Sequence, residues 1–193
     1  MSTIRCGSFE LKIGNYYKTD NYYDDENFES YDYFNIKKKR NADNTNTEDY
    51  NCGGYAFETY SWYSPYNVDF EERCEDVENF LRNGGSVEDA FEVFLQVDTE
   101  SMLEDFEGRI RVVENERAII KEDEVLIAYR LRIIPRYDED GEIYVDHDFH
   151  YLVKDKVGWR HKQGSLIPEF IEFTKEPWDN GYDGPIVFFA FRP

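Results

Sequence analysis

The sequence predicts an α+β fold in which helices come first and an antiparallel β-sheet follows. Helical periodicity dominates the middle of the chain, whereas apolar runs separated by turn residues dominate after Gly108. Helices that precede strands, rather than alternate with them, are typical of α+β proteins. A length of 193 residues with 18% aromatic residues allows one domain with a substantial core.

The helical part contains four expected segments, each placed by an apolar face and by start or stop residues. The first begins at Cys52 and is closed by Pro65, and the third begins at the capping pattern Ser86-Val87-Glu88-Asp89. The segments are Cys52 to Trp62, 67 to 83, Ser86 to about Gln96, and Thr99 to Phe106.

The second half of the chain predicts an antiparallel meander. Turn residues at Asp138-Glu139-Asp140-Gly141 and at Asp155-Lys156-Val157-Gly158 separate neighbouring strands and indicate hairpins. The five expected strands are 109–113, 125–134, 143–153, 158–163 and 185–191.

Two regions of different composition indicate the domain organisation. Residues 1–47 form an aromatic and acidic N-terminal arm, within which 14–35 has neither a strand nor a helix period and is expected to be irregular. Residues 48–193 form the main domain, with a helical insertion at about 67–107.

The charge of the chain excludes several classes of partner. Its 22 Lys and Arg residues against 42 Asp and Glu give a net charge of −20, so direct binding of duplex nucleic acid or of an anionic membrane is not expected. No apolar run of transmembrane length and no apolar signal region is present, which predicts a cytoplasmic protein. Three scattered cysteines predict free thiols, with Cys6 and Cys74 chemically idle.

The three histidines cluster within the predicted hairpin of the second half. His150 and His161 share a face of the sheet if the connecting loop has an even number of residues, either Asp155-Lys156 or Asp155 to Gly158. An odd loop would separate them. His147, three positions before His150, is expected to face the other way.

Cys52 is the candidate nucleophile because it is predicted to begin a helix. A helix N-terminus and a nearby imidazole both favour a thiolate. Gly53 and Gly54 are expected to leave room for a substrate, and the Cys52 N–H to bind an oxyanion. His150 then acts as the base and His161 orients its ring.

Two motifs resemble a known family. Asp49-Tyr50-Asn51-Cys52-Gly53-Gly54-Tyr55-Ala56 is followed by Asp148-Phe149-His150-Tyr151-Leu152-Val153-Lys154-Asp155 and by Gly158-Trp159-Arg160-His161-Lys162-Gln163-Gly164. These motifs resemble the NlpC/P60-like form of the papain-like superfamily, in the variant found in some toxin-complex and phage-associated proteins.

The resemblance implies Cys52 as nucleophile, His150 as base and His161 as orienting residue. It implies a hydrolase or acyl transferase that acts on a peptide or protein amide bond without a cofactor. The residues expected around the substrate or oxyanion are Tyr50, Asn51, Gly53, Trp159 and Gln163.

Two other functions compete with this interpretation. Asp146, Asp148, His150 and His161 offer ligands for a transition metal, but their spacing matches no closed zinc pattern, and no metal is predicted. The second alternative is a non-enzymatic acidic protein on a degenerate Cys-His fold. Carboxylates in 14–35 and 69–107 would then mimic nucleic acid or inhibit a basic protein partner.

Overall fold

A computed structural model confirms the α+β class, with helices and a six-stranded antiparallel sheet. It describes residues 2–6, 9–13, 50–59, 61–66, 68–154, 156, 158–166, 168–171, 173 and 182–193, the first two ranges as backbone only. Most of the predicted arm, including the tract 14–35, lies outside the described residues. Within the arm, strands β1 (Ser2–Cys6) and β2 (Phe9–Ile13) form an antiparallel hairpin that was not predicted.

Helix α1 is much shorter than predicted and covers only Cys52–Ala56. Phe57 caps its C-terminus, and Glu58 adopts a φ of 56°, in the left-handed region that ends a helix. The described residues between Glu58 and Tyr66 are not helical; Tyr63 packs against the core, whereas Trp62 is exposed.

Helices α2 (Phe70–Arg82) and α3 (Val87–Asp105) begin at side-chain caps. The predicted capping box of Ser86 and Asp89 is confirmed, since each side chain bonds the other's backbone N–H. The predicted break between Gln96 and Thr99 is wrong. No Gly or Pro interrupts this stretch, and the two residues in between, the exposed Val97 and the buried Asp98, continue the helix.

The main sheet has the strand order β3-β8-β4-β5-β6-β7, with every pair antiparallel. A meander is therefore confirmed only from β4 to β7, because the last strand inserts between β3 and β4. All five residues of that strand are buried, which suits a position inside the sheet. The short β7 was not predicted. The strands are β3 (Ile110–Val113), β4 (Val125–Tyr137), β5 (Ile143–Lys154), β6 (Trp159–His161), β7 (Glu169–Ile171) and β8 (Val187–Phe191).

The two faces of the sheet bury different cores. The helices pack on one face, against a cluster that includes Tyr129, Phe149 and Tyr151. The opposite face carries a smaller apolar cluster, which includes Leu152 and Trp159. Side chains alternate along β5, so this division decides which histidines can meet.

The register of β5 and β6 confirms the even loop. Leu152 pairs with His161 and Lys154 with Trp159, so four residues, 155–158, connect the strands. His161 therefore lies on the same face as His150, in a diagonal position. His147 faces the helices, as predicted, and its ring contacts Tyr66 and Phe70.

A buried ion pair joins the helices to the sheet. Arg73 of α2 contacts the Asp98 carboxylate of α3, and the Tyr129 hydroxyl of β4 donates to the same carboxylate at 2.6 Å. Burial raises the pKa of Asp98 to about 7, although Arg73 and Tyr129 both oppose that rise. None of the helices within the described ranges combines the length and apolarity of a membrane span.

Candidate active site

The Asn51 side chain builds the turn that presents Cys52. Its Oδ1 accepts hydrogen bonds from Gly54 N at 2.9 Å and Tyr63 N at 3.1 Å, and its Nδ2 donates to Tyr63 O at 2.8 Å. Asn51 thus caps α1 and fastens the segment 61–63 beside it. Both amide groups of Asn51 have these structural partners, which leaves its predicted oxyanion role without support from the geometry.

Gly53 and Gly54 allow the segment 61–63 to lie close to the turn at Cys52. A Cβ on Gly54 would lie 1.9 Å from Ser61 O, and one on Gly53 would lie 2.9 Å from Tyr63 O. The space beside both glycines is therefore filled by the chain itself. The expectation that they leave room for a substrate is wrong.

The Cys52 thiol lies against the edge of β5 next to His150. Its Sγ is 3.9 Å from Phe149 O, and the Tyr151 backbone N–H also points to it. β6 ends at His161, opposite Leu152, so its pairing with β5 stops before these backbone groups. The thiol therefore contacts the residues on both sides of His150.

The thiol is neutral in this environment. Burial raises the pKa of Cys52 to about 12, and the Asp148 carboxylate adds to this rise. Backbone N–H groups of Tyr151, Gly53 and Cys52 favour the thiolate but do not compensate for the lost solvation. Because α1 has only five residues, its dipole adds little.

A relay of three side chains extends away from the thiol. His150 Nε2 is 3.0 Å from His161 Nδ1, and His161 Nε2 is 3.0 Å from Glu169 Oε1. Glu169 faces His161 across the β6–β7 pair. The prediction that His150 and His161 meet is thus confirmed, whereas Glu169 was missed because its three-residue strand has no recognisable period.

With both histidines in their neutral form, the relay defines which nitrogens carry protons. The Glu169 carboxylate can only accept, so His161 Nε2 donates to it and neutral His161 accepts at Nδ1. His150 Nε2 must then donate to His161. The neutral His150 ring therefore has its lone pair on Nδ1, which is the nitrogen that can take a proton.

His150 is neutral as well as oriented. Its side chain is buried, and burial together with the neighbouring His161 lowers the pKa of His150 to about 3. The Tyr182 ring lies 5.6 Å from the His150 ring, and its hydroxyl donates to Asp148 Oδ2 at 2.6 Å. Tyr182 is a further neighbour of the site that the sequence did not indicate.

The carboxylates proposed as metal ligands have other partners. Arg132 Nη2 is 2.8 Å from Asp146 Oδ1 and 3.6 Å from Asp148 Oδ2. Among the residues that the structure describes, no three His, Cys, Asp or Glu side chains are arranged to bind a metal ion. The arrangement around His150 therefore gives the metal alternative no support.

The other expected site residues take different places. Trp159 is buried in the second core and stacks on Phe173, with ring centroids 4.4 Å apart. Gln163 is exposed. Tyr50 adjoins the site through its backbone, because its carbonyl accepts a hydrogen bond from the Lys162 ammonium at 2.5 Å. Lys162 follows His161 directly, and that adjacency was the signal that could have revealed it.

His147 has a structural position despite its place in the histidine cluster. It is buried on the helix face, and neither ring nitrogen has a hydrogen-bond partner among the residues described. Burial and the neighbouring Arg73 and Arg132 lower the pKa of His147 to about 3. It is therefore a natural control for variants of His150.

Comparisons of the chain with protein-family models, with curated proteins and with solved structures gave no significant match.

Proposed function

We propose that the chain is a papain-like, NlpC/P60-like cysteine hydrolase or acyl transferase that acts on an amide or peptide bond. The observation that carries this proposal is the Glu169–His161–His150 relay, which with neutral histidines leaves a lone pair on His150 Nδ1. The Cys52 thiol, which contacts the backbone on both sides of His150, is the nucleophile. No cofactor is needed for this chemistry.

The proposed reaction begins from a neutral thiol and a neutral imidazole. As Sγ of Cys52 bonds to the substrate carbonyl carbon, the thiol proton passes to His150, and the carbonyl oxygen becomes an oxyanion. The backbone N–H of Cys52 is the proposed oxyanion donor. His161, held by Glu169, keeps the His150 ring oriented for this transfer.

The intermediate then collapses to a thioester. The C–N bond breaks, and the leaving nitrogen takes the proton from His150 as the free amine departs. Water or another nucleophile attacks the thioester with His150 again as base, and the product leaves as Cys52 regains its proton. Peptidase, amidase, deamidase and transferase reactions share these steps.

A second candidate is a non-enzymatic acidic protein on a degenerate Cys-His fold. The raised pKa of Cys52, about 12, favours this alternative, because an unreactive thiol is what a lost active site would retain. The net charge of −20 suits a basic protein partner. Acylation of Cys52 separates the two candidates.

The test is acylation by p-nitrophenyl acetate, followed by nitrophenolate release and by mass spectrometry of the cysteine peptides. We expect the acetyl group on Cys52, and a His150→Ala variant to acylate at least about a hundredfold more slowly, the usual contribution of a general base. His147→Ala is the matched control, because it removes a buried histidine from the same strand but not from the relay.

Two results would contradict the enzyme. One is acetylation of Cys52 no faster than that of Cys74, a partly exposed thiol whose pKa is also raised by burial. The other is an equal loss of rate in the His150 and His147 variants, which would indicate a general loss of structure. Either result, together with salt-sensitive capture of a basic protein that survives Cys52→Ala, would favour the binding protein.

A further inference from the structure

Lys162 is a buried cation without a carboxylate partner. Its side chain is 0% exposed, and its ammonium donates to Tyr50 O and to Gly164 O. The ammonium also lies 4.5 Å from the centre of the Tyr50 ring. No Asp or Glu pairs with it in the described part of the chain, although buried charges are normally paired.

The position of Lys162 links the two halves of the candidate site. It comes directly after His161, and its ammonium bonds the carbonyl of Tyr50, two residues before Cys52. Backbone carbonyls and an aromatic ring stabilise a cation but leave its full charge uncompensated. The positive potential of the ammonium is therefore available to a nearby anion.

Cys52 is the group that can become that anion. Burial lowers the pKa of Lys162, whereas electrostatic interaction with the Cys52 thiolate raises it. Such coupling is reciprocal, so a charged Lys162 favours the thiolate by the same free energy with which the thiolate favours the ammonium.

We propose that the Lys162 ammonium is the built-in counter-ion of the Cys52 thiolate and fastens the His161 strand to the Cys52 turn. Lys162 is thus a positioning residue, which acts through Cys52. A catalytic benefit from Lys162 rests on the proposed function. The effect of Lys162 on the reactivity of the Cys52 thiol can be measured without a substrate.

The experiment measures the rate at which iodoacetamide alkylates Cys52 between pH 7 and 11, with peptide-resolved mass spectrometry. Lys162→Met is expected to lower the rate at pH 9 by at least about tenfold, the effect of one pKa unit on the thiolate population. Lys162→Arg keeps the charge and is expected to restore most of the rate. Lys154→Met is the matched control, since the Lys154 ammonium also contacts a carbonyl and an aromatic ring, those of Glu116 and Trp159.

The wild-type pH profile provides a second test that remains valid if Lys162→Met fails to fold. Above the pKa of Lys162, the dominant state has a neutral thiol and a neutral amine. The reactive state has a thiolate and an ammonium and holds the same total number of protons, so the ratio of the two states no longer depends on pH. The alkylation rate must then level off above the lowered pKa of Lys162. In Lys162→Arg this plateau disappears, because arginine keeps its proton. Circular dichroism at each pH verifies that the proteins stay folded.

Equal rates in wild type and folded Lys162→Met, or a wild-type rate that keeps rising with unit slope through pH 11, would overturn the proposal. Failure of the proposed function has a different signature. If Cys52 is not acylated but Lys162→Met still lowers alkylation, the counter-ion is present in a protein that is not a hydrolase. If acylation depends on His150 but alkylation is insensitive to Lys162, the enzyme stands and the counter-ion does not.

Discussion

The neutral state of Cys52 gives a quantitative prediction about its reactivity in the folded protein. A pKa of about 12 leaves roughly one thiol in 30,000 ionised at pH 7.5, whereas an ordinary cysteine with a pKa of about 8.5 is about one-tenth ionised. The thiolate is the nucleophile toward iodoacetamide. Unfolding the protein should therefore accelerate alkylation of Cys52 by about 3,000-fold.

The assay compares alkylation of Cys52 at pH 7.5 in native buffer and in concentrated guanidinium chloride, with Cys74 followed in the same digest. Cys74 is less buried, so the increase for Cys74 on unfolding should be much smaller than for Cys52. Native Cys52 that reacts within about tenfold of its unfolded rate would refute the reasoning. It would mean that the N–H groups and Lys162 outweigh burial and that a thiolate is present at rest.

Three further predictions concern stability and the relay. Because burial lowers the pKa of His147 to about 3, the unfolded chain binds a proton below pH 6.5 that the folded chain does not, so acid destabilises the fold. Urea unfolding of wild type between pH 6 and pH 4 should therefore lose about 1.4 kcal/mol per pH unit more than that of His147→Gln, and equal slopes would contradict the burial argument. Gly54→Ala should lower the free energy of unfolding by about 3 kcal/mol, because its Cβ would strike the Ser61 carbonyl, and a thermal melting temperature unchanged from wild type would show that this contact yields easily. Glu169→Ala should slow acylation by p-nitrophenyl acetate about tenfold, since His161 would lose the acceptor that fixes its tautomer, while a retained rate would remove Glu169 from the relay.

The histidine pair was predictable because a strand has a simple period. Alternation along β5 and β6 reduced the question to the parity of one loop, and the turn residues 155–158 allowed only a few lengths. The start of α3 was predictable for a similar reason, since the capping pattern at Ser86 and Asp89 is satisfied within four residues. Features that depend on local chemistry were therefore accessible from the sequence.

The features that escaped prediction depend on contacts between distant segments. The segment 61–63 packs against Gly53 and Gly54, and this contact turns an apparent substrate space into a packed turn. Asp98 remains helical because Arg73 and Tyr129 meet its carboxylate. The sequence immediately around each of these residues does not indicate such distant partners.

The pKa values of the two central groups constrain how any reaction at this site proceeds. Values of about 12 for Cys52 and about 3 for His150 are about 9 units apart, so moving the proton between them at rest costs about 12 kcal/mol. Even two unit charges about 4 Å apart attract by only about 4 kcal/mol at an effective dielectric constant near 20, which does not offset that cost. A thiolate formed before attack would thus be very sparsely populated, even with help from Lys162. Proton transfer to His150 must therefore accompany formation of the carbon–sulfur bond, when the negative charge moves from Sγ to the substrate oxygen.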